Sequence, residues 1–415
     1  MRVTVLFENF GPYHLARLSA AAKVCDLSAI ELNATSQDYE WQRDERPTRF
    51  ARHTIFGSER GHRNSVLQSG RRVANAIQET MPDVVAIPGW SGCYAFAALH
   101  WCAVNCVPVV IMSESSANDE PRVRWKEWVK RRYVGMCSAA LVGGERNRKY
   151  LVQLGMPAEK VFLGYDVVDN HYFIESVQKV RQEVGLWRKR LELPERYFLA
   201  SARFIGKKNL PNLLRAFANY RSEWNYRNNS GLSRAWDLVV LGDGALRGQL
   251  DALRQELGLT KNIHFPGFTQ YDELPPYYAL AGAFIHPSVV EQWGLVVNEA
   301  MAAELPVLVS NRCGCAPTLV KEGENGHTFN PQDITAIARC MREMSQMSEE
   351  IRQEMGSRSG QIISEFGPER FAGGLHQAAA VSIADRPKVQ SAWDRLLLRA
   401  LVLKNYERLP QRSPA

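Results

Sequence analysis

The run Ala283-Phe-Ile-His-Pro-Ser-Val-Val-Glu291-Gln-Trp-Gly-Leu-Val-Val-Asn-Glu299-Ala-Met-Ala-Ala303 continues into Pro306-Val-Leu-Val-Ser310, and its reading decides the architecture. Ala283 to Ile285 is an apolar run of buried-strand length, His286 to Gly294 is a loop, Leu295 to Ala303 is helical, and Pro306 to Ser310 is a strand again. Strand, helix and strand in that order are the repeating unit of a parallel sheet. Glu291 therefore lies in the loop at the carboxyl end of a strand, and Glu299 about one turn into the following helix, on the side where open parallel sheets bind ligands. Two carboxylates so placed can reach hydroxyls of one ligand. The N–H groups of Gly294, Leu295 and Val296 sit near a helix N-terminus, where unpaired donors and the helix dipole suit an anion such as a phosphate.

A bare pair of glutamates seven residues apart arises on many solvated helices, but the full run is more specific. His286-Pro-Ser-x-x-Glu291-x-x-Gly294-Leu-Val-x-x-Glu299-Ala-Met-Ala, followed by Pro306-Val, closely resembles the donor-site motif of the retaining GT-B glycosyltransferases of family 4. The resemblance is firm over residues 197 to 331 and looser over 1 to 175. It implies an α/β fold with two Rossmann-like, doubly wound parallel-sheet domains facing across a cleft. On that reading residues 1–175 form an acceptor-binding domain, 176–195 a linker, 196–375 a domain for the nucleotide-sugar donor, and 376–415 a helical tail.

Length and composition agree with this outline. At 415 residues the chain exceeds one ordinary core, and 45% hydrophobic with 23% charged residues is a globular balance. The net charge of +7 favours anionic partners, among which nucleotide phosphates, acidic lipids and nucleic acid are all open. The eight cysteines are scattered; Cys102 with Cys106, and Cys313-Gly-Cys315, lack the companions of a zinc site, so no metal is expected. Neither a signal sequence nor about 18 uninterrupted apolar residues is found, and the expectation is a reduced cytoplasmic protein.

Alternation runs along the chain. Val3 to Phe7, Val84 to Ile87, Pro108 to Met112, Ala139 to Val142 and Val161 to Leu163 read as strands; Leu15 to Val24, Gly92 to Asn105 and Glu145 to Leu154 read as helices. Residues 33 to 64 are polar, Arg-rich and aperiodic, and read as an insertion over the surface. The loop Glu8 to His14 joins the first strand to its helix, so Gly11 can bring backbone to a ligand, with His14 beside it, or simply close a tight connection. In the resembled family the matching loop borders acceptor and diphosphate. Ser113 and Glu114 stand at a strand end where many relatives place a histidine; Glu114 can take a proton or bind an acceptor hydroxyl, or cap the next helix. His100, mid-helix beside Trp101, reads as a packing histidine.

Residues 122–136 carry Trp125, Trp128, Val129 and Tyr133 towards one side of a helix, with Arg124, Lys126, Lys130 and Arg131 on the others. Such a helix suits peripheral contact with an anionic membrane, on the inner face for a cytoplasmic protein; the alternative is a stripe docked on the sheet with its cations in water. The basic amphipathic ending from Ala392 to Leu403 is read as returning to the first domain or touching lipid. Nucleic-acid binding would explain only the charge.

In the second half, Tyr197 to Ala202 is a strand, followed by Arg203-Phe-Ile-Gly-Lys207-Lys208 and a helix beginning near Pro211. Arg203 and Lys208, five residues apart across a Gly-bearing loop, can fold over one phosphate group; in the resembled family the matching pair are diphosphate ligands. Gly242, after the strand Asp237 to Leu241, is a turn glycine with or without a ligand, and the resemblance places Gly242 and Phe268 beside the nucleotide base. No Asp-x-Asp occurs in the chain, so Arg203, Lys208 and the helix N-terminus after Gly294 are read as standing in for a metal. The expected function is a retaining, metal-independent, cofactor-free transfer of a sugar from a nucleoside-diphosphate sugar to a saccharide or lipid-linked acceptor, with Glu291 on the sugar and Glu299 on the ribose diol. The competing readings are a sugar phosphorylase or epimerase on the same fold, and a catalytically silent nucleotide-sugar-binding subunit.

Overall fold

The computed structural model describes residues 1–34, 41–57, 66–90, 92–227, 235–385 and 392–404. The chain divides into two compact units, Met1–Val167 with Pro368–Ala415, and Val168–Gly367.

The first unit is built on seven parallel strands: β1 (Arg2–Phe7), β2 (Asp26–Asn33), β3 (Ala51–Phe56), β4 (Val84–Pro88), β5 (Val109–Ser113), β6 (Ala139–Val142) and β7 (Val161–Leu163). They lie in the order β3-β2-β1-β4-β5-β6-β7. Chain order reverses between β1 and β4, the doubly wound arrangement whose crevice opens at that switch point. Central strands such as Val84–Pro88 and Val109–Ser113 are continuous apolar runs because helices cover both faces and leave no polar side to alternate with.

The surface-insertion reading of residues 33–64 is corrected in part. Ala51–Phe56 is β3, the edge strand, paired in parallel register with β2 from Ser28↔Ala51 to Asn33↔Phe56. Edge strands stay half-exposed and keep polar side chains, so Arg52, His53 and Thr54 hide the alternation that a buried strand would show. Arg52 and Thr54 turn inward to the fully buried Glu31 of β2, which also accepts from Arg43 and from the Phe10 N–H at 3.0 Å. β2 and the helix Val66–Glu79 are likewise absent from the sequence reading. Residues 35–40 and 58–65 of that stretch lie outside the described residues.

The helix Pro368–Ala384 packs on the helix Pro12–Ala21 and on β5, β6 and β7. Gly374 permits it: a Cβ there would meet the Leu163 carbonyl oxygen at 2.4 Å. The helix Ala392–Lys404 lies on Cys93–Asn105, burying Leu398 in the same core. His100 accepts from Arg399 Nε at 3.3 Å, in keeping with a packing histidine.

The second unit holds six parallel strands, β8 (Tyr197–Ser201), β9 (Asp237–Leu241), β10 (Ile263–Gly267), β11 (Ala283–His286), β12 (Val307–Ser310) and β13 (Gly326–Phe329), ordered β10-β9-β8-β11-β12-β13. Its helices start where local chemistry supplies the missing acceptors: the carboxylates of Asp169 and Asp333 and the Ser348 hydroxyl accept from the N–H three residues on. Here the switch point falls between β8 and β11, the two strands whose following loops carry Arg203, Lys208 and Glu291.

Candidate functional site

Three loops at the carboxyl ends of β9, β8 and β11 are stitched side by side. Phe204 N–H donates to the Asp243 carbonyl at 2.8 Å and Leu246 N–H to the Phe204 carbonyl at 2.9 Å, tying the β8 loop to the β9 loop. On the other flank Val289 N–H donates to the Lys207 carbonyl at 2.9 Å, tying it to the β11 loop. A short turn at Gly206–Lys208 ends on Asn209, which adopts the left-handed conformation and donates its amide to the carbonyls of Pro287 (3.2 Å) and Pro331 (2.7 Å). Asparagine is one of the few residues that takes this backbone form at small cost, and its side chain is used as a brace.

That brace delivers Lys208 to Glu291. The two side chains form an ion pair across 83 residues of sequence, and both are largely shielded from water. Glu291 Oε2 also receives His286 Nε2 at 3.0 Å and the Ser288 hydroxyl at 3.2 Å. Burial raises the Glu291 carboxyl, but the His286 hydrogen bond and the Lys208 charge outweigh it, so the group is held well below the ordinary carboxylate range. His286, fully buried at the end of β11, is pushed downward chiefly by burial; it is neutral and donates its Nε2–H to the carboxylate. All three donors converge on Oε2. Oε1 has no hydrogen-bond partner among the described residues and is free to accept from a ligand hydroxyl.

Gly294 follows with φ +106°, the left-handed turn that starts the helix Leu295–Ala302; a Cβ there would stand 3.3 Å from Glu291 Cγ. Val297 N–H is taken by the Gly294 carbonyl at 2.9 Å, while Leu295 and Val296, half-buried, begin the helix with N–H groups that find no acceptor among the described residues. Glu299, one turn on, is fully buried, and its Oε2 accepts the Tyr278 hydroxyl at 2.5 Å. Burial, reinforced by Glu299, raises the Tyr278 phenol well above its ordinary range, so it remains a donor that orients the carboxylate.

Arg203, half-buried, sits in the β8 loop between Ala202 and the turn that carries Lys208. Gly242 has φ +116°, and a Cβ would fall 2.0 Å from the Ala202 carbonyl oxygen. Close packing of two loop backbones therefore demands this glycine whether or not a nucleotide lies on it. Its N–H donates to the Gly267 carbonyl at 2.8 Å, which brings the exposed Phe268 beside it at the β10 end.

Gly11, His14 and Glu114 belong to the first unit, at the carboxyl ends of β1 and β5. Gly11 N–H is committed to His14 Nδ1 at 3.2 Å, closing the first turn of the helix Pro12–Ala21. Glu114 does not cap the next helix: Arg124–Val134 begins ten residues later after Val123, which makes no side-chain cap, and the Glu114 carbonyl instead accepts from Asn147. Among the described residues no three His, Cys, Asp or Glu side chains cluster as metal ligands. The residues that sequence reading missed are His286 and Ser288 as orienters of Glu291, Asn209 as the brace and Tyr278 beneath Glu299. His286 and Ser288 stand in the motif itself, five and three residues before Glu291, but nothing in the sequence says which oxygen they hold.

Residues 185–361 match the model of the family described as glycosyl transferases group 1. The chain is 29% identical over 163 residues to alpha-monoglucosyldiacylglycerol synthase of Acholeplasma laidlawii, covering 39% of this chain and 37% of that protein. It is 30% identical over 165 residues to the GDP-mannose-dependent alpha-(1-6)-phosphatidylinositol monomannoside mannosyltransferase of Mycobacterium tuberculosis, covering 38% of this chain and 40% of the relative. The chain thus spans less than half the length of these relatives. Anabaena Alr3699/HepE, solved in complex with UDP and glucose, superposes with a TM-score of 0.68 over 92% of this chain and 99% of that one, at 17% identity.

The fold is GT-B. Each unit is a Rossmann-like parallel sheet, and the matched family segment contains the Lys208, Glu291 and Glu299 neighbourhood of the second.

His14 gives a test that needs no substrate. Burial, with Arg17 nearby, pushes its imidazole down to about 3. The unfolded chain titrates near 6.5, so between these values it binds a proton that the folded chain refuses, and stability falls as pH falls. His14→Asn keeps the acceptor for Gly11, since Asn147 serves the helix Glu145–Gln153 in the same way, accepting from Gly144 N–H at 3.0 Å. Urea unfolding should show the native protein losing about 1–2 kcal/mol more than the variant between pH 7 and pH 5. His286 and Glu291 titrate alike in both proteins, so equal slopes would show that His14 is not shielded.

Proposed function

We propose that this protein is a glycosyltransferase that moves a sugar from a nucleoside-diphosphate sugar to a hydroxyl of a saccharide or lipid-linked acceptor, with retention at the anomeric carbon and without a divalent metal. The observation that carries this reading is the Lys208–Glu291 pair at the switch point of the second sheet, with Glu291 Oε1 left open.

In transfer, the acceptor oxygen bonds to the anomeric carbon as the bond to the diphosphate oxygen breaks; the electron pair leaves with the diphosphate, which takes the acceptor's proton on the same face. The departing charge needs preorganised cations or dipoles. Lys208, Arg203 and the open N–H groups at Leu295 and Val296 supply them without a metal. Glu291 Oε1 accepts from a sugar hydroxyl and so fixes the ring, and Glu299 takes the ribose diol. The family matched by residues 185–361, and relatives named for glucosyl and mannosyl transfer to lipids, support a sugar donor and a lipid-linked or saccharide acceptor. The place of action that follows is the cytoplasmic face of a membrane, in surface-glycan or glycolipid synthesis.

The test is a panel of UDP-, GDP- and ADP-sugars incubated with the full chain, with and without chelator, and with the anomeric configuration of products read by proton NMR. Release of diphosphate that chelator leaves unchanged, and an axial product from an axial donor, are expected. Saturable binding without turnover would assign a silent subunit, and turnover that requires inorganic phosphate would assign a phosphorylase.

A further inference from the structure

The helix Arg124–Val134 is turned inside out. Tyr133 and Val134 anchor it to the core, with the Tyr133 hydroxyl donating to the Gly89 carbonyl at 2.9 Å. Its other inward positions are charged. Glu127 accepts from Lys130 at 3.2 Å and from the Tyr150 hydroxyl at 2.9 Å, while Lys130 also lies 5.4 Å from the Trp90 ring centroid. These two charged side chains are only 21% and 17% exposed, whereas Trp125 and Trp128 on the opposite face are 54% and 57% exposed. The sequence reading that set Tyr133 with the two tryptophans on one side is corrected: Tyr133 faces the core and they do not. A helix that tucks in an ion pair and presents two indoles to water is not explained by its own packing.

The helix Ala392–Lys404 repeats the pattern beside it. Leu398 is buried, while Trp393 is 76% and Leu396 56% exposed, three residues apart on the outer face. The two helices are linked by Arg132 and Asp394 at 2.6 Å, a pair that also neutralises the acid next to Trp393. Arg124 and Arg131 edge the first stripe and Arg395 and Arg399 the second, and all four are exposed. The Arg132–Asp394 pair thus joins two exposed apolar stripes, Trp125 with Trp128 and Trp393 with Leu396, each edged by arginines.

From this complementarity we infer that the paired outer faces of Arg124–Val134 and Ala392–Lys404 form one docking surface for an anionic lipid bilayer, the tryptophans entering the headgroup layer and the arginines pairing with lipid phosphates. Indoles favour that layer because one edge is apolar and the other donates a hydrogen bond, and each nearby cation adds attraction to an anionic leaflet. Both helices are needed, because each contributes only two anchors. Among the described residues no helix is long and apolar enough to span a membrane, so binding by this surface is peripheral and reversible. The inference goes beyond the sugar-transfer reading and stands whether or not that reading holds.

The experiment is flotation of the full chain with vesicles of phosphatidylcholine alone or mixed with phosphatidylglycerol. Native protein should float with the mixed vesicles, much less with phosphatidylcholine, and less as salt rises. Trp125→Ser with Trp128→Ser should lose roughly tenfold of the binding, and Trp393→Ser with Leu396→Ser a comparable part. Ile351→Ser, at an exposed apolar residue of the other unit, should float like the native protein. Circular dichroism melting curves that coincide keep misfolding out of the comparison, since every substituted side chain is exposed. Native protein that ignores phosphatidylglycerol, or tryptophan variants that float undiminished, overturns the inference. A native dimer that the same substitutions convert to a monomer on gel filtration, with no vesicle binding, also overturns it and assigns the patch to a second copy of the chain.

Discussion

Glu291→Ala lowers sugar transfer by roughly a hundred- to a thousandfold while saturation by the nucleotide alone changes little. The asymmetry follows from what each oxygen of the carboxylate does. Oε2 is saturated by Lys208, His286 and Ser288, which fix the side chain; Oε1 has no hydrogen-bond partner among the described residues and, on the proposed reading, takes the donor sugar. On that reading alanine removes the sugar contact and the fixed negative charge together. It frees Lys208 to follow the diphosphate, so nucleotide affinity should hold or rise even as turnover collapses. Glu291→Gln separates the two effects, since it keeps the shape and one acceptor oxygen but leaves Lys208 unpaired. Initial rates with a saturating donor, set beside calorimetric titration of the bare nucleoside diphosphate, read the two quantities independently. Equal losses of binding and rate would mean that Glu291 serves the fold of the loop and not the reacting sugar.

Gly314→Ala destabilises the second unit by about 3–5 kcal/mol and takes transfer down with it. A Cβ at Gly314 would stand 1.7 Å from the Gln292 carbonyl oxygen and 3.2 Å from Trp293 Cα. Those atoms are backbone, so no rotamer change makes room and the loop itself must move. The same loop is pinned here by Gly314 N–H donating to the Glu291 carbonyl at 3.0 Å and Cys315 N–H donating to the Trp293 carbonyl at 3.2 Å. Displacing it therefore unseats Glu291 from its three donors. Gly323→Ala is the control: its φ of +76° costs about 1 kcal/mol of backbone strain, but nothing lies within 4 Å of the added methyl. Urea unfolding of both variants ranks them, and a Gly314→Ala protein as stable as Gly323→Ala would show that the loop yields without cost.

Much of the architecture was legible because most strands of both sheets are buried on two faces. Val84–Pro88, Val109–Ser113, Ala139–Val142 and Asp237–Leu241 announce themselves as apolar runs between helical segments. Where one face meets water or a buried charge, the signal fades. Ala51–Phe56 carries Arg52 and Thr54 because they serve Glu31, and Asp26–Asn33 carries that glutamate in its interior, so neither was recognisable as a strand. The helix Arg124–Val134 misled differently: period 3.6 groups its aromatic residues, but which group faces inward is settled by Gly89 and Tyr150, which lie far away in sequence.

By itself the sequence determined the chemistry on offer: a motif with two glutamates and a glycine at the helix start between them, two cations on another loop, and enough alternating apolar runs for two parallel sheets. Tertiary structure alone decided how those groups are used. Strand order places β8 next to β11, and only that adjacency sets Lys208 against Glu291 with His286 and Ser288 on the same oxygen. Pairing over 83 residues is a property of the sheet, since no local preference acts across that distance along the chain. The same holds for the tryptophan face, which exists because the core took Tyr133 and Leu398 and left Trp128 and Trp393 outside.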